Sequence, residues 1–178
     1  LESYYPATDQ FHTVNTSIEI NAEPAKVWDN VKNVKGIKPN EISTHFVHLI
    51  GVPRATNGEL NLEGIGGIRS NTWEKGIKFR EIIKSWNHKK GFTYDIKVDP
   101  KSIAPATLDE HVIIGGRYFD VVQGGYKIDS ISPNKSRVTL GCKYRITTNL
   151  NFYSRWWADF ILNDFNQMIL EVIKLRSE

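Results

Sequence analysis

Alternating hydrophobic and polar positions predict a β-strand close to the start of the chain. From Val14 to Ile20 every second residue is hydrophobic or threonine, with polar residues between them, which is the period-two pattern of a half-buried strand. Pro24 follows at a place suited to the first turn of a helix, where the missing N–H of proline costs nothing. We therefore predict a strand over residues 14–21 and a short helix directly after it.

The chain between Gly36 and Gly67 has no clear period. Gly36 and Pro39 end the first helix, because neither residue favours its continuation. Beyond them the pattern is compatible with a second short helix or with an edge strand around residues 43–50. Both alternatives stay open at this point.

The middle of the chain is mostly strand. Alternation over residues 68–74 and again over residues 79–86, with Gly76 between them, predicts a β-hairpin. Gly124 and Gly125 are interpreted as a turn or bulge between two later strands. Strands are also predicted over residues 91–98, 117–122, 126–130 and 137–146. The short links between these strands favour antiparallel pairing.

A long helix is predicted at the end of the chain. Residues 152–176 contain neither Gly nor Pro, and their hydrophobic positions recur at spacings of 3 and 4, which is typical of a helix with one apolar face. That face comprises Trp157, Ile161, Phe165, Met168, Val172 and Leu175. A helix of this length needs a broad surface to lie on. The order of elements therefore favours an α+β fold in which a curved antiparallel sheet wraps around the terminal helix.

Composition excludes several classes of protein. The 178 residues include one cysteine, Cys142, so an internal disulfide and a metal site of several cysteines are both excluded. The net charge of +3 is spread along the chain and gives no basic patch for nucleic acid. Apolar runs within the chain are too short for a membrane-crossing helix. We expect one soluble, cytoplasmic domain over residues 14–178, after an irregular lead-in over residues 1–13.

Several segments carry a resemblance to a known superfamily. Residues 16–29, TSIEINAEPAKVWD, resemble the opening of START-like, or SRPBCC, domains, which include the polyketide cyclase/dehydrase-like proteins. An uncharacterised bacterial branch of that superfamily is also similar over residues 64–69, 79–86, 153–159 and 169–174. The resemblance extends from about residue 14 to the end of the chain.

The resemblance implies a helix-grip fold with one or two short helices after the first strand. In that fold the sheet and the C-terminal helix enclose a cavity for an apolar or amphipathic small molecule. Several members of the branch carry hydrophobic membrane-spanning segments ahead of this domain, and the chain begins with Leu1 rather than Met. A piece of a membrane-anchored protein is therefore a further expectation. Asn163 and Asn166 stand where the resemblance leads us to expect histidines, so an acid–base or metal role is not carried over to them.

The predicted hairpin brings two charged residues onto an apolar face. We place Trp73 opposite Phe79. Asn71 then lies opposite Glu81, with Arg69 diagonal to Glu81 on the same face. Because a buried charge must be paired, Arg69 and Glu81 are predicted partners. Three interpretations stay open: an ion pair that sets the register, a guanidinium offered to a ligand carboxylate or phosphate, and a carboxylate acting as general base.

The walls of the predicted cavity are aromatic. Tyr94, Tyr144 and Trp157 each combine apolar surface with a polar atom that needs a partner when it is buried. Plain core packing is the alternative interpretation of each of them. The candidate ligand-binding residues are Arg69, Asn71, Trp73, Phe79, Glu81, Tyr94, Tyr144 and Trp157.

Four residues of the terminal helix lie outside its apolar face. Asp159 and Asp164 flank that face and are expected to be solvated. Trp156 and Phe160 are large aromatics one helical turn apart. They predict a contact with a second subunit, another partner or a membrane-proximal segment. Alternatively, the unassigned connection over residues 40–67 covers them.

The usual constellations of catalytic and metal-binding residues are absent from the sequence. No histidine has the spacing and acidic companion of a zinc-binding helix. We expect neither a metal nor another cofactor, and a hydrophobic small molecule as the partner. The prediction is a binding domain. A cyclase- or dehydratase-type enzyme using a cavity carboxylate such as Glu81 is the alternative, and a regulatory protein-interaction module is the third.

Overall fold

A single antiparallel sheet forms the frame of the protein. The computed structural model describes residues 7–99, 102, 114–149 and 151–178. The strands are β1 (Gln10–Ile20), β2 (Ala55–Leu60), β3 (Ile68–Trp73), β4 (Lys78–Asn87), β5 (Gly91–Val98), β6 (Phe119–Ser132) and β7 (Lys135–Ile146). They lie in the order β1-β7-β6-β5-β4-β3-β2. Because strands twist, a sheet of this width curls, and here it forms a half-barrel with a concave face.

Three helices cover the concave face of this sheet. They are α1 (Pro24–Lys32), α2 (Phe46–Leu49) and α3 (Asn151–Ser177), and short 3₁₀ turns occur at Pro39–Glu41 and Glu74–Gly76. Pro24 occupies the first helical position of α1, as its fixed φ angle favours. The predicted α+β helix-grip fold is confirmed. Among the described helices, none combines the length and hydropathy needed to span a membrane.

The connection between α1 and β3 contains a short helix and a strand. The helix α2 lies inside the window of residues 43–50, so the helical alternative is correct there, whereas β2 begins at Ala55, outside that window, and was not predicted. At the other end of the sheet, β1 begins at Gln10, four residues before the expected start. The extra residues pair with the end of β7, so that Gln10 lies opposite Ile146.

The register of the β3–β4 hairpin differs from the prediction by two residues. Arg69 lies directly opposite Glu81, and Asn71 lies opposite Phe79. The cause is a tight turn, in which the Trp73 N–H donates to the carbonyl of Ile77 at 2.9 Å. Residues 74–76 form the whole turn, including a left-handed lysine at position 75. A turn centred one residue earlier than predicted shifts every pair of the hairpin by two.

The Gly124-Gly125 pair lies inside a strand and not between two strands. The strand β6 continues through both residues, and a bulge occurs just before them, between Val121 and Gln123. Gly124 packs against the ring of Tyr94, where an added Cβ would lie 2.5 Å from three ring and hydroxyl atoms. The glycine therefore makes room for an aromatic ring, which is a packing role.

The apolar face of α3 is broader than the predicted stripe. Met168 and Val172 are buried as expected, but Leu175 is 59% exposed. Leu170 and Ile173, outside the predicted stripe, are fully buried instead. The helix α3 contacts α1 as well as the sheet. The residues buried near its C-terminal end therefore include Leu170 and Ile173, whereas Leu175 is left exposed.

Candidate functional site

The concave face of the sheet and α3 form a cavity of about 670 Å³. Residues 153–169 of α3 line one side of the cavity, and the sheet lines the opposite side. A third side comes from the α2 segment, which we define as residues 43–52 and which contributes Val47, Ile50 and Val52. The volume lies within the range of about 300–1,000 Å³ that is usual for small-molecule pockets.

Seven of the eight candidate ligand-binding residues line this cavity. They are Arg69, Asn71, Trp73, Phe79, Glu81, Tyr94 and Trp157. The ring of Trp73 meets the edge of Phe79 with 5.4 Å between centroids, and it stacks on Phe165 of α3 at 4.9 Å. These rings join the hairpin to the helix and form an apolar wall. Their role in ligand binding stays a prediction.

Tyr144 is the exception and belongs to the packed core. Its ring is fully buried, and its hydroxyl donates a hydrogen bond to Asp159 of α3. Burial, together with Asp159, raises the pKa of Tyr144. Asp159 is partly exposed, in keeping with its expected solvation, and it also satisfies a buried hydroxyl group that would otherwise lack a partner.

A buried ion pair is the polar centre of the cavity. Arg69 is 3% exposed, and its Nη1 atom donates to the Oε2 atom of Glu81 at 3.0 Å. The guanidinium also lies over the ring of Tyr126, 5.5 Å from the centroid, an attractive cation–π arrangement. Burial acts to lower the pKa of Arg69, but the charge of Glu81, together with Tyr126 and Tyr94, outweighs burial and raises it. The guanidinium therefore stays charged.

Two donors beside this pair lack acceptors. The Nε atom of Arg69 and the Nδ2 atom of Asn71 are buried without a hydrogen-bond partner among the described residues. A buried donor without an acceptor costs free energy. Both side chains line the cavity, but these two nitrogens are not themselves exposed to it.

Gly58 of β2 allows these side chains to lie where they do. A Cβ atom at that position would lie 2.7 Å from the Oδ1 atom of Asn71 and 3.1 Å from the Nη2 atom of Arg69. Any larger residue would push the polar groups further into the cavity. Gly58 could not be predicted as part of the site, because nothing in the local pattern shows which strand lies beside β3.

A second polar group lies where α3 crosses the sheet. Asn166 is fully buried and accepts a hydrogen bond from the Cys142 thiol, with 3.2 Å between Sγ and Oδ1. Its own amide donates to the hydroxyl of Thr16 at 3.3 Å. Burial raises the pKa of Cys142 to about 12, so the thiol stays neutral. The asparagine thus has a structural partner on each side.

The α2 segment is fastened to α3 by a buried histidine. His45 shares its two ring nitrogens between Asp164 and Glu171, each at 3.1 Å, and Asp164 also accepts the N–H of Val47 at 2.9 Å. Burial disfavours the charged ring, but the two carboxylates outweigh burial and raise the pKa of His45. Asp164 is only partly exposed, so its expected solvation is incomplete. The hydrophobic periodicity could not predict this cluster, since His45 lies more than a hundred positions from both carboxylates.

The exposed aromatics of α3 lie beside the α2 segment. Trp156 is 58% exposed and Phe160 is 43% exposed, and the two rings stack with 6.3 Å between centroids. Phe46 of α2 meets the edge of Phe160 at 5.2 Å. The connection therefore covers this pair only in part, and a contact with a partner stays a prediction. Among the described residues, no group of three metal-binding side chains is placed to hold an ion.

Comparison with known proteins shows the fold. No family model matches the sequence, and no curated protein matches it either. Solved structures do match. TTHA0849 of Thermus thermophilus has a TM-score of 0.58 at 16% identity, over 93% of this chain and 97% of that chain. Ara h 8.0201 has a TM-score of 0.54 at 12% identity, over 94% and 98%.

Norcoclaurine synthase of Thalictrum flavum is a third similar structure. Its truncated form has a TM-score of 0.55 at 10% identity, over 96% of this chain and 95% of that chain. The same enzyme in complex with dopamine and hydroxybenzaldehyde has a TM-score of 0.50 at 13% identity, over 94% and 87%. At these identities the likeness concerns the fold, and the chain is a helix-grip protein.

Proposed function

We propose that the protein binds a hydrophobic or amphipathic small molecule in the cavity between its sheet and α3. The observation that carries the proposal is the cavity itself, whose walls are mainly apolar and aromatic around one buried ion pair. A few convergent polar groups in an apolar pocket are the usual composition of a small-molecule site. A filled core of the same residues would have supported a purely structural interpretation instead.

The structural comparison supports the same proposal. Norcoclaurine synthase, which shares the fold, has been crystallised with dopamine and hydroxybenzaldehyde. We infer that the equivalent cavity of this chain also accommodates a small organic molecule. Membership of the START-like superfamily is part of the proposal and rests on the sequence segments described above together with the shared fold.

A neutral fluorescent probe tests the proposal. N-phenyl-1-naphthylamine fluoresces strongly in apolar surroundings, and we expect saturable binding by the purified protein. Ile161→Trp places a larger side chain in the cavity lining and should abolish that binding. Ile131→Trp is the matched control, because Ile131 is exposed on β6. Equal binding by both variants, or none by the unaltered protein, would contradict the proposal.

Catalysis is the second candidate function. Burial raises the pKa of Glu81 despite the opposing effect of Arg69, and a carboxyl group with a perturbed pKa in a cavity is a typical proton-transfer group. A cyclase- or dehydratase-type reaction would use it to move a proton on a bound substrate. Mass spectrometry of molecules extracted from the purified protein tests this, since a catalyst is expected to release a product different from the molecule that it binds.

A further inference from the structure

The polar centre of the cavity is already balanced in charge. Arg69 and Glu81 lie in direct contact at 3.0 Å, and they are the charged residues among the described lining of the cavity. A neutral Glu81 would leave the Arg69 charge unpaired away from water, which is strongly unfavourable. The geometry therefore supports the ionised form of both residues, and the net charge of the pair is zero.

The lining offers no spare positive charge to a ligand. Burial raises the pKa of Tyr94 and Tyr126, and the neighbouring Cys142 thiol is neutral for the same reason. No other charged side chain of the described lining faces the pair. A ligand anion would therefore find no unpaired cation in the described lining.

We propose that the molecule bound here is an uncharged apolar compound, and not a carboxylate or phosphate. This inference rests on the proposed function. An anion in this cavity would leave water without an unpaired cation to receive it. A ligand carboxylate would place a second negative charge beside Glu81 with one guanidinium between them.

Two ligands of equal chain length test the inference. Decan-2-one and decanoate differ mainly in the charge of the polar end, and each is titrated at neutral pH against protein loaded with N-phenyl-1-naphthylamine. We expect decan-2-one to displace the probe at a concentration about tenfold lower than decanoate. If the probe binds but decanoate displaces it equally well or better, the inference is wrong while the proposed function stands. If the probe does not bind, both fail.

A charge-switch variant sharpens the test. Glu81→Gln keeps the size of the side chain but leaves the Arg69 charge uncompensated, so the preference should reverse in favour of decanoate by about tenfold. Glu59→Gln is the matched control, because Glu59 lies exposed on the neighbouring β2 and should leave the preference unchanged. A Glu81→Gln protein that still prefers decan-2-one would overturn the inference.

A double variant covers the case in which Glu81→Gln does not fold. Arg69→Met with Glu81→Met removes both charges and both hydrogen-bonding partners, and buried ion pairs are often replaced in this way without loss of stability. This protein should still bind the naphthylamine probe and should prefer decan-2-one over decanoate at least as strongly, because no guanidinium remains to pair with a carboxylate. A preference for decanoate in this variant would show that another positive group receives the anion, and would contradict the inference.

Discussion

The two ends of α3 lie on the same sheet but cover very different interiors. At the C-terminal end, Leu170 and Ile173 are fully buried against α1, where Trp28 stacks its edge on Trp86 and Phe92. At the N-terminal end, residues 153–169 border the cavity. Here a four-residue helix replaces the longer α1 as the cover.

The difference shows how one fold provides both stability and a binding space. The end of α3 that packs on α1 carries a dense core of aliphatic and aromatic side chains, which supplies most of the buried apolar contact. The end covered by α2 has aromatic side chains around the cavity. Its polar contacts include the hydrogen bond between His45 and Asp164. We therefore expect substitutions in the first region to act on stability and those in the second to act on binding.

Trp28→Ala is expected to cause the largest loss of stability. Trp28 is almost fully buried between α1 and the sheet, and removing such a ring costs about 3–5 kcal/mol. Urea unfolding followed by circular dichroism measures the change. Trp157→Ala, at the cavity, serves as the control and should cost clearly less. Equal losses of stability would contradict the distinction between the end of α3 that covers a filled core and the end that borders the cavity.

A matched pair of isoleucines on α3 tests the same distinction within one helix. Ile173→Ala leaves a new hole in packed surroundings and should reduce the free energy of unfolding by about 2–5 kcal/mol. Ile161→Ala enlarges an existing cavity and should cost roughly 1–2 kcal/mol, because mainly the transfer free energy is lost. Differential scanning calorimetry of both variants decides; a larger loss for Ile161→Ala would count against the comparison.

Gly58→Ala should disturb the cavity more than the core. The added methyl group must displace Asn71 or the end of Arg69, and overpacking of this kind costs about 1–2 kcal/mol. We expect a several-fold weaker binding of N-phenyl-1-naphthylamine beside that modest loss of stability. Glu59→Ala on the same strand is the control, because Glu59 is exposed, and unaltered probe binding by Gly58→Ala would show that the polar centre tolerates displacement.

The smallest expected effect concerns the α2 segment and pH. The pKa of His45 is raised above its usual value of 6.5, so its contribution is complete below that value and is lost as the pH rises through the raised pKa. The pKa of Glu171 is lowered, chiefly because Ser43 and His45 hydrogen bonds outweigh burial, so its contribution is lost as the pH falls through that lowered pKa. The segment is therefore held best between the two.

Hydrogen exchange of the Val47 amide measures this attachment. Its N–H is bonded to Asp164, and we expect its protection, corrected for intrinsic exchange, to fall as the pH rises through the raised pKa of His45. The loss should correspond to about 1 kcal/mol. In His45→Gln the pH dependence should disappear. If it persists in that variant, the histidine does not fasten the α2 segment.

Part of the candidate site could be predicted from local pattern because strand periodicity assigns faces. Arg69, Asn71 and Trp73 alternate along β3, so whichever face carries one of them carries all three. The tight turn at residues 74–76 could not be predicted, since Gly76 suits several turn geometries. The residue directly opposite Arg69 on β4 was therefore predicted two positions away from the observed one. The ion pair between Arg69 and Glu81 was nevertheless predicted correctly.

Other parts depended on contacts between distant segments. The predicted role of Tyr144 as a cavity wall was wrong because Asp159, on a separate element, takes its hydroxyl group. Tyr126 was missed as a cavity residue, although it alternates with Ile128 on one face of β6 and that pattern could have indicated it. Gly58 and the His45 cluster gave no local signal, since their partners lie on other elements.

By itself the sequence determined the elements and the fold, because the hydrophobic period of each segment reports whether it buries one face of a strand or of a helix. It determined the long α3, the antiparallel hairpins and the presence of one charged pair on an apolar face. The tertiary structure alone decided that α3 covers a cavity at one end and a filled core at the other. Whether side chains meet or leave a void depends on the curvature of the sheet and on which helix covers it, and neither is encoded in any single segment.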